Sequence, residues 1–129
     1  MPAYSPDLRI SPHFTWREFW ASDGTEPPAW LQPAYVVLAR LYLEPVRMAF
    51  GVCTVHSGYR TPAINARVGG APQSVHMGRR APLAAAADVT FRSGTPREWY
   101  AAFDRLGVGG LGIYATHVHV DGRSGRARW

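Results

Sequence analysis

The segment His117-Val118-His119 constrains this chain most. Successive side chains of a strand point to opposite faces, so this pair aims two imidazoles at one side of a sheet. Two earlier residues, His76 and Asp88, offer the further imidazole and the carboxylate that would complete a zinc site with three protein ligands and an open fourth position. A single histidine is more often a hydrogen-bonded core or surface residue. The ordered set points instead to a metallohydrolase. Ser74-Val75-His76-Met77-Gly78 follows a glycine-rich turn, and Asp88 lies between Ala87 and Val89 at the start of an apolar run, Val89-Thr90-Phe91. A carboxylate at the start of a strand requires solvent or a cation.

Length and composition limit what surrounds such a site. The 129 residues suit one domain, 1–129, and a hydrophobic fraction of 47% with 12% aromatic residues argues for a packed globule over disorder. Every basic side chain is arginine and the formal charge is +5. Such a surface could face nucleic acid, anionic lipid or an anionic wall polymer. No DNA- or RNA-binding signature accompanies the basic tail Arg123-Ser124-Gly125-Arg126-Ala127-Arg128, so nucleic acid is not expected as a partner. The tail reads as a solvated terminus, with Trp129 able to fold back on the core.

Cys53 is the only cysteine, which excludes an internal disulfide and thiolate zinc clusters. In Val52-Cys53-Thr54-Val55 it reads as a buried, inert thiol. The N-terminus lacks signal-peptide organisation, and no apolar run reaches membrane-spanning length. The expectation is therefore synthesis in the cytoplasm and no membrane partner, with any action outside the cell needing another route of release.

Thr15-Trp16-Arg17-Glu18 has capping-box form and predicts a short helix. Apolar residues at helical spacing predict a helix from about Pro33 to Phe50, kinked or restarted at Pro45 and ended by Gly51. A strand follows over Val52 to His56. Thr61-Pro62 caps a helix reaching about Val68, ended by Gly69-Gly70. Residues 71 to 84 read as irregular loop, with Arg79 to Ala84, broken by Pro82, an excursion at the rim of the site. Val89 to Phe91 reads as the next strand, Thr95-Pro96-Arg97-Glu98 caps a helix to about Leu106, and Leu111–Tyr114 with His117–Asp121 forms a hairpin. The order suggests an α+β domain, a small antiparallel sheet flanked by helices.

Ser57-Gly58-Tyr59-Arg60-Thr61-Pro62, Asn65, Val68-Gly69-Gly70-Ala71-Pro72, Ser74-Val75-His76, Ala86-Ala87-Asp88-Val89 and His117-Val118-His119-Val120-Asp121 occur in that order. On these residues the chain resembles the zinc D-Ala-D-Ala carboxypeptidase family, whose fold is shared by hedgehog signalling domains and many phage endolysins. The resemblance covers roughly His13 to Trp129. It implies that His76, Asp88 and His119 bind zinc, with water in the fourth position. It also implies that His117 is a non-ligating histidine near that water, that Arg60 faces the substrate carbonyl or developing oxyanion, and that Ser74 and Tyr59 shape the pocket. Asp121 reads either as a carboxylate orienting a ligand histidine or as turn chemistry before Gly122. The eleven residues Met77 to Ala87 between His76 and Asp88 exceed the family's usual spacing, and no acidic residue lies between Asp104 and Asp121 to act as base. That leaves His117 as the candidate for proton transfer.

Two functions of different class follow. One is a peptidase of peptidoglycan stem peptides, either a D,D-carboxypeptidase or an endolysin-type endopeptidase, encoded by a phage or prophage and acting at the cell wall after lysis or from a virion. The other is a non-catalytic capsid or tail component that keeps the fold and has other virion proteins as partners.

Overall fold

A computed structural model describes residues 2–79 and 84–129 of the chain. Two short strands, β1 (Arg9–Ser11) and β2 (Phe14–Thr15), pair near the N-terminus. The main sheet comprises β3 (Cys53–Ser57), β4 (Ala86–Phe91), β5 (Gly110–Ile113), β6 (Val118–Asp121) and β7 (Ala127–Arg128). Its order is β3-β4-β6-β5-β7, antiparallel except for the parallel pair β5 and β7. The helices are α1 (Gln32–Leu38), α2 (Glu44–Phe50), α3 (Pro62–Arg67) and α4 (Pro96–Leu106). This is the expected α+β arrangement, with β7 added to the two strands and hairpin that the sequence predicts.

Alternation along the strands divides the sheet into a core face and a polar face. Ala87, Val89 and Phe91 of β4, Val118 and Val120 of β6 and Leu111 of β5 join the core. Leu38 and Val46 pack there from α1 and α2, and Trp99 and Phe103 from one face of α4. Asp88, His119 and Asp121 point the other way. On that side a small cluster of Val75, Ala84 and Ala86 fastens the segment that carries His76.

Local sequence explains most boundaries. Thr61 Oγ1 accepts the Ile64 N–H at 3.2 Å to cap α3, and Thr95 Oγ1 accepts the Glu98 N–H at 3.3 Å to cap α4. Gly51 and Gly107 end α2 and α4 at φ of 86° and 75°, a region that favours glycine. Between α1 and α2 the helical path runs on without restarting at Pro45. Ala39–Leu43 forms a π-turn in which the Glu44 N–H reaches back to the Ala39 carbonyl, and this wider turn accommodates Pro45, which has no N–H to donate.

Several expectations need correction. The capping box at Thr15 opens a single 3-10 turn, Trp16–Phe19, because Trp16 and Phe19 are drawn into the core within four residues. Residues 71 to 84 are not wholly irregular: Val75–Met77 is a 3-10 turn whose cap, Ser74 Oγ, accepts the His76 N–H at 3.2 Å. Strand β4 begins at Ala86, so Asp88 lies inside a central strand and not at its start. The basic tail is not a solvated terminus. It pairs with β5 as β7, since Asp104 gathers Arg126 and Arg128 at 3.0 and 2.9 Å and the Val108 and Gly109 carbonyls accept from Arg128. Trp129 folds back, but onto His119 on the polar face of the sheet and not onto the core. Residues 80–83, most of the expected excursion, lie outside the described residues. Cys53 is buried, and burial pushes its thiol up, as an inert thiol requires.

The N-terminal hairpin is fastened by Glu44, whose carboxylate accepts Ser11 Oγ–H at 2.6 Å and the His13 N–H at 2.8 Å. Burial opposes this charge, but the contacts with Ser11 and His13 outweigh it and lower the carboxyl from its ordinary 4.5. A depressed carboxyl contributes stability that is present above the unfolded value and lost as pH falls through the folded one. Glu44→Gln should therefore cost about 1 to 2 kcal/mol near neutrality. Urea denaturation across pH should show that difference shrinking below pH 4.5.

Candidate metal centre

Three elements bring three ligand-type residues together. Asp88 on β4 and His119 on β6 are register partners, which puts their side chains next to each other on the polar face. The 3-10 turn Val75–Met77 delivers His76 from above. His76 Nε2, His119 Nδ1 and Asp88 Oδ1 form a triangle with every side 3.2 Å. All three residues are buried or nearly so. Ligand atoms 2.0 to 2.1 Å from a tetrahedral zinc lie about 3.3 Å apart, so the spacing matches such a cage.

The far sides of the two rings explain why a cation fits. His76 Nδ1 lies 2.6 Å from the Gly58 carbonyl oxygen, which can only accept, so Nδ1–H donates there and Nε2 presents its lone pair. His119 Nε2–H donates to Asp121 Oδ2 at 2.7 Å, which leaves Nδ1 as the lone-pair atom. When both rings are neutral, they and the Asp88 oxygen face one another as three acceptors with no hydrogen between them. A divalent cation resolves that conflict, and a histidine, histidine, carboxylate set suits zinc.

Each carboxylate of the site also meets an arginine. Arg60 Nη2 donates to Asp88 Oδ2 at 3.2 Å, leaving Oδ1 to the triangle, and Arg60 is held by Ser57 Oγ at 3.2 Å and Asn65 Oδ1 at 3.4 Å. A bulge in β3 between Val55 and Ser57 sets Ser57 opposite Asp88. Arg123 grips Asp121 with Nε at 2.8 Å and Nη2 at 2.7 Å. Burial works against both carboxylates. For Asp88 the contacts with His119 and His76 prevail, and for Asp121 those with His119 and Arg123, so both carboxyls titrate well below the usual range. Burial likewise opposes a proton on His119, yet contacts with Asp121 and Asp88 raise its pKa above the ordinary 6.5.

The triangle opens into a cleft of about 720 Å³. Its walls include Arg60, Ser74, Tyr114, His117, Arg123 and Trp129. His117 is not part of the triangle; its ring stacks on Tyr114 at 4.7 Å between centroids. Tyr59 is not among the lining residues. Its N–H is tied to the Phe19 carbonyl at 2.9 Å, and its ring packs against the main core. Asp121 is fully buried; its Oδ2 accepts from His119 and its Oδ1 accepts the Arg123 N–H two residues on at 3.0 Å, so both sequence alternatives, contact with the histidine and turn chemistry across Gly122, are present. Sequence reasoning missed Arg123, Tyr114 and the Gly58 carbonyl. Only the i, i+2 spacing of His119, Asp121 and Arg123 hinted that Arg123 would share their face.

A sheet whose polar face carries a His–Asp–His triangle beside an open cleft has the donor set of a metal centre. Consistent with this, the family model for peptidase M15 matches residues 12–121, and the chain belongs to that family. Comparison with curated proteins gives no match.

Zinc bound here must displace any proton from His119 Nδ1. Competition titrations should show one zinc per chain, with affinity that falls on acidification from above pH 6.5 because the His119 pKa is raised. His119→Ala should abolish stoichiometric binding in metal analysis. Equal zinc content in wild type and variant would refute the ligand set.

Proposed function

We propose that the chain is a zinc metallopeptidase that cleaves peptide bonds in peptidoglycan stem peptides, as a D,D-carboxypeptidase or endolysin-type endopeptidase, and that it is encoded by a phage or prophage. The observation that carries this reading is the triangle of three lone-pair atoms at 3.2 Å beside a cleft large enough for a short peptide. Membership of the peptidase M15 family supports it. The formal charge of +5 suits an anionic wall polymer. No helix among the described residues is long and apolar enough to cross a membrane. The site of action in this reading is the cell wall, reached after lysis or from a virion.

Zinc held by His76, Asp88 and His119 supplies Lewis acidity and lowers the pKa of a water ligand to about 7. The remaining steps belong to the chain's own residues. Arg60 lines the cleft with one guanidinium edge committed to Asp88, and its free N–H groups stabilise the oxyanion that develops on the scissile carbonyl. Asp88 is the only carboxylate lining the cleft among the described residues, and it is taken as a ligand. His117 is therefore the group that accepts the nucleophile's proton on a ring nitrogen and returns it to the leaving amine. Ser74 caps the turn that presents His76, and its place on the wall puts it within the substrate-binding surface.

The missing second carboxylate also favours the other reading, a non-catalytic virion component that keeps the metal and contacts other virion proteins. Incubating the zinc-loaded protein with purified peptidoglycan and separating the released fragments decides between them. At saturating zinc, Arg60→Ala should lower turnover by about 100- to 1,000-fold. His117→Ala should lower it by at least about 100-fold while zinc content stays unchanged. A fully loaded wild type that releases nothing from walls or stem peptides would leave the virion component as the better account.

A further inference from the structure

The segment from Arg123 to Trp129 contacts both His119 and its hydrogen-bond partner Asp121. Arg123 holds Asp121 through Nε and Nη2 of one guanidinium edge and through its own backbone N–H at 3.0 Å, so the carboxylate that accepts His119 Nε2–H has a fixed plane. From β7 the chain then brings Trp129 to His119, with the ring centroids 5.1 Å apart. The indole is itself fixed on three sides. Its N–H donates to the Tyr114 hydroxyl at 2.9 Å, the Arg123 guanidinium lies 5.2 Å from its ring, and backbone bonds to Leu111 and Ile113 anchor the residue to β5.

The strand beneath is shaped to receive these groups. Gly112 is the register partner of His119 and Gly110 that of Asp121. A Cβ at Gly112 would run into the Trp129 indole, and one at Gly110 into the Asp121 carboxylate. Two glycines at alternate positions of an otherwise ordinary strand weaken it, so their presence calls for a close approach by another group. Here that group is the His119 support on each side.

We infer that Arg123 and Trp129 are positioning residues of the metal centre: they fix the His119 ring, Arg123 through Asp121 and Trp129 by direct ring contact, so that metal affinity depends on the segment after β6. This rests on the zinc reading of the triangle but not on peptide hydrolysis. A metal ligand's partners in the surrounding shell typically govern affinity by about 10- to 100-fold.

The test measures zinc affinity of the full chain by competition with a chromophoric chelator, alongside the absorption spectrum of the cobalt-substituted protein and melting of the metal-free protein. Arg123→Ala should weaken zinc about 10- to 100-fold. Arg123→Lys, which keeps the charge but loses the two-pronged grip, should recover only part of that loss. Arg123→Ala combined with Asp121→Asn should weaken zinc less than the two separate losses multiplied, since both act on one ring. Trp129→Leu and Gly112→Ala, which remove or displace the indole without uncovering a buried charge, should each weaken zinc and change the cobalt spectrum to a similar degree. Those two variants keep the test decisive if Arg123→Ala does not fold. Wild-type zinc affinity and an unchanged cobalt spectrum in Trp129→Leu and Gly112→Ala overturn the role of Trp129. Independent, fully multiplicative effects of Arg123 and Asp121 overturn that of Arg123. A wild type that binds no zinc overturns the metal reading itself, which is a distinct result.

Discussion

The pairing of β4 with β6 is the constraint on which the rest depends. It sets Asp88 against His119 on one face and, through the neighbouring positions, buries Val89, Val118 and Val120 on the other. The same backbone bonds thus serve both the core and the site. A slip of one residue in β6 would turn Val118 and Val120 into the cleft and His119 and Asp121 into hydrocarbon. Burying those polar groups without partners would be prohibitive, so the apolar packing that stabilises the domain also secures the spacing of Asp88 and His119.

Around this pair the site is built from matched charges. Two carboxylates, Asp88 and Asp121, sit where burial alone would neutralise them. Each has an imidazole on one oxygen and a guanidinium in contact. The guanidinium groups draw the carboxylates into fixed planes, and the carboxylates direct the imidazoles. Removing one member of such a set leaves a buried charge without its partner, which is why the effects of single changes here should spread beyond the residue altered.

Residues with strong local rules were legible in the sequence. The caps at Thr61 and Thr95, the stop at Gly51 and the alternation of Val118 through Asp121 each follow from neighbours a few positions away. The triangle of His76, Asp88 and His119 was legible too, through residue types and order, although its geometry comes from the fold. What escaped was set by distant partners. Nothing local shows that Asp104 and the Val108 and Gly109 carbonyls would organise the arginine-rich tail into β7, or that Phe19 would hold the Tyr59 backbone and keep that ring out of the cleft. The π-turn at Ala39–Leu43 is a different case. The proline announced a disturbance, but whether a helix bends or widens depends on the packing of both halves.

The burial of the site's ion pairs has a consequence for the medium the protein tolerates. Side chains of Arg60 and Asp88 are 17% and 13% exposed, and those of Arg123 and Asp121 15% and 0%, whereas the Arg17–Asp7 pair is 63% and 83% exposed. Mobile ions screen exposed charges within about 8 Å at physiological strength but reach buried pairs poorly. Added salt therefore dissolves the Arg17–Asp7 contact while leaving the charges around the metal centre engaged. Ionic strength acts on the exposed charges of this basic protein, and hardly at all on those around the triangle.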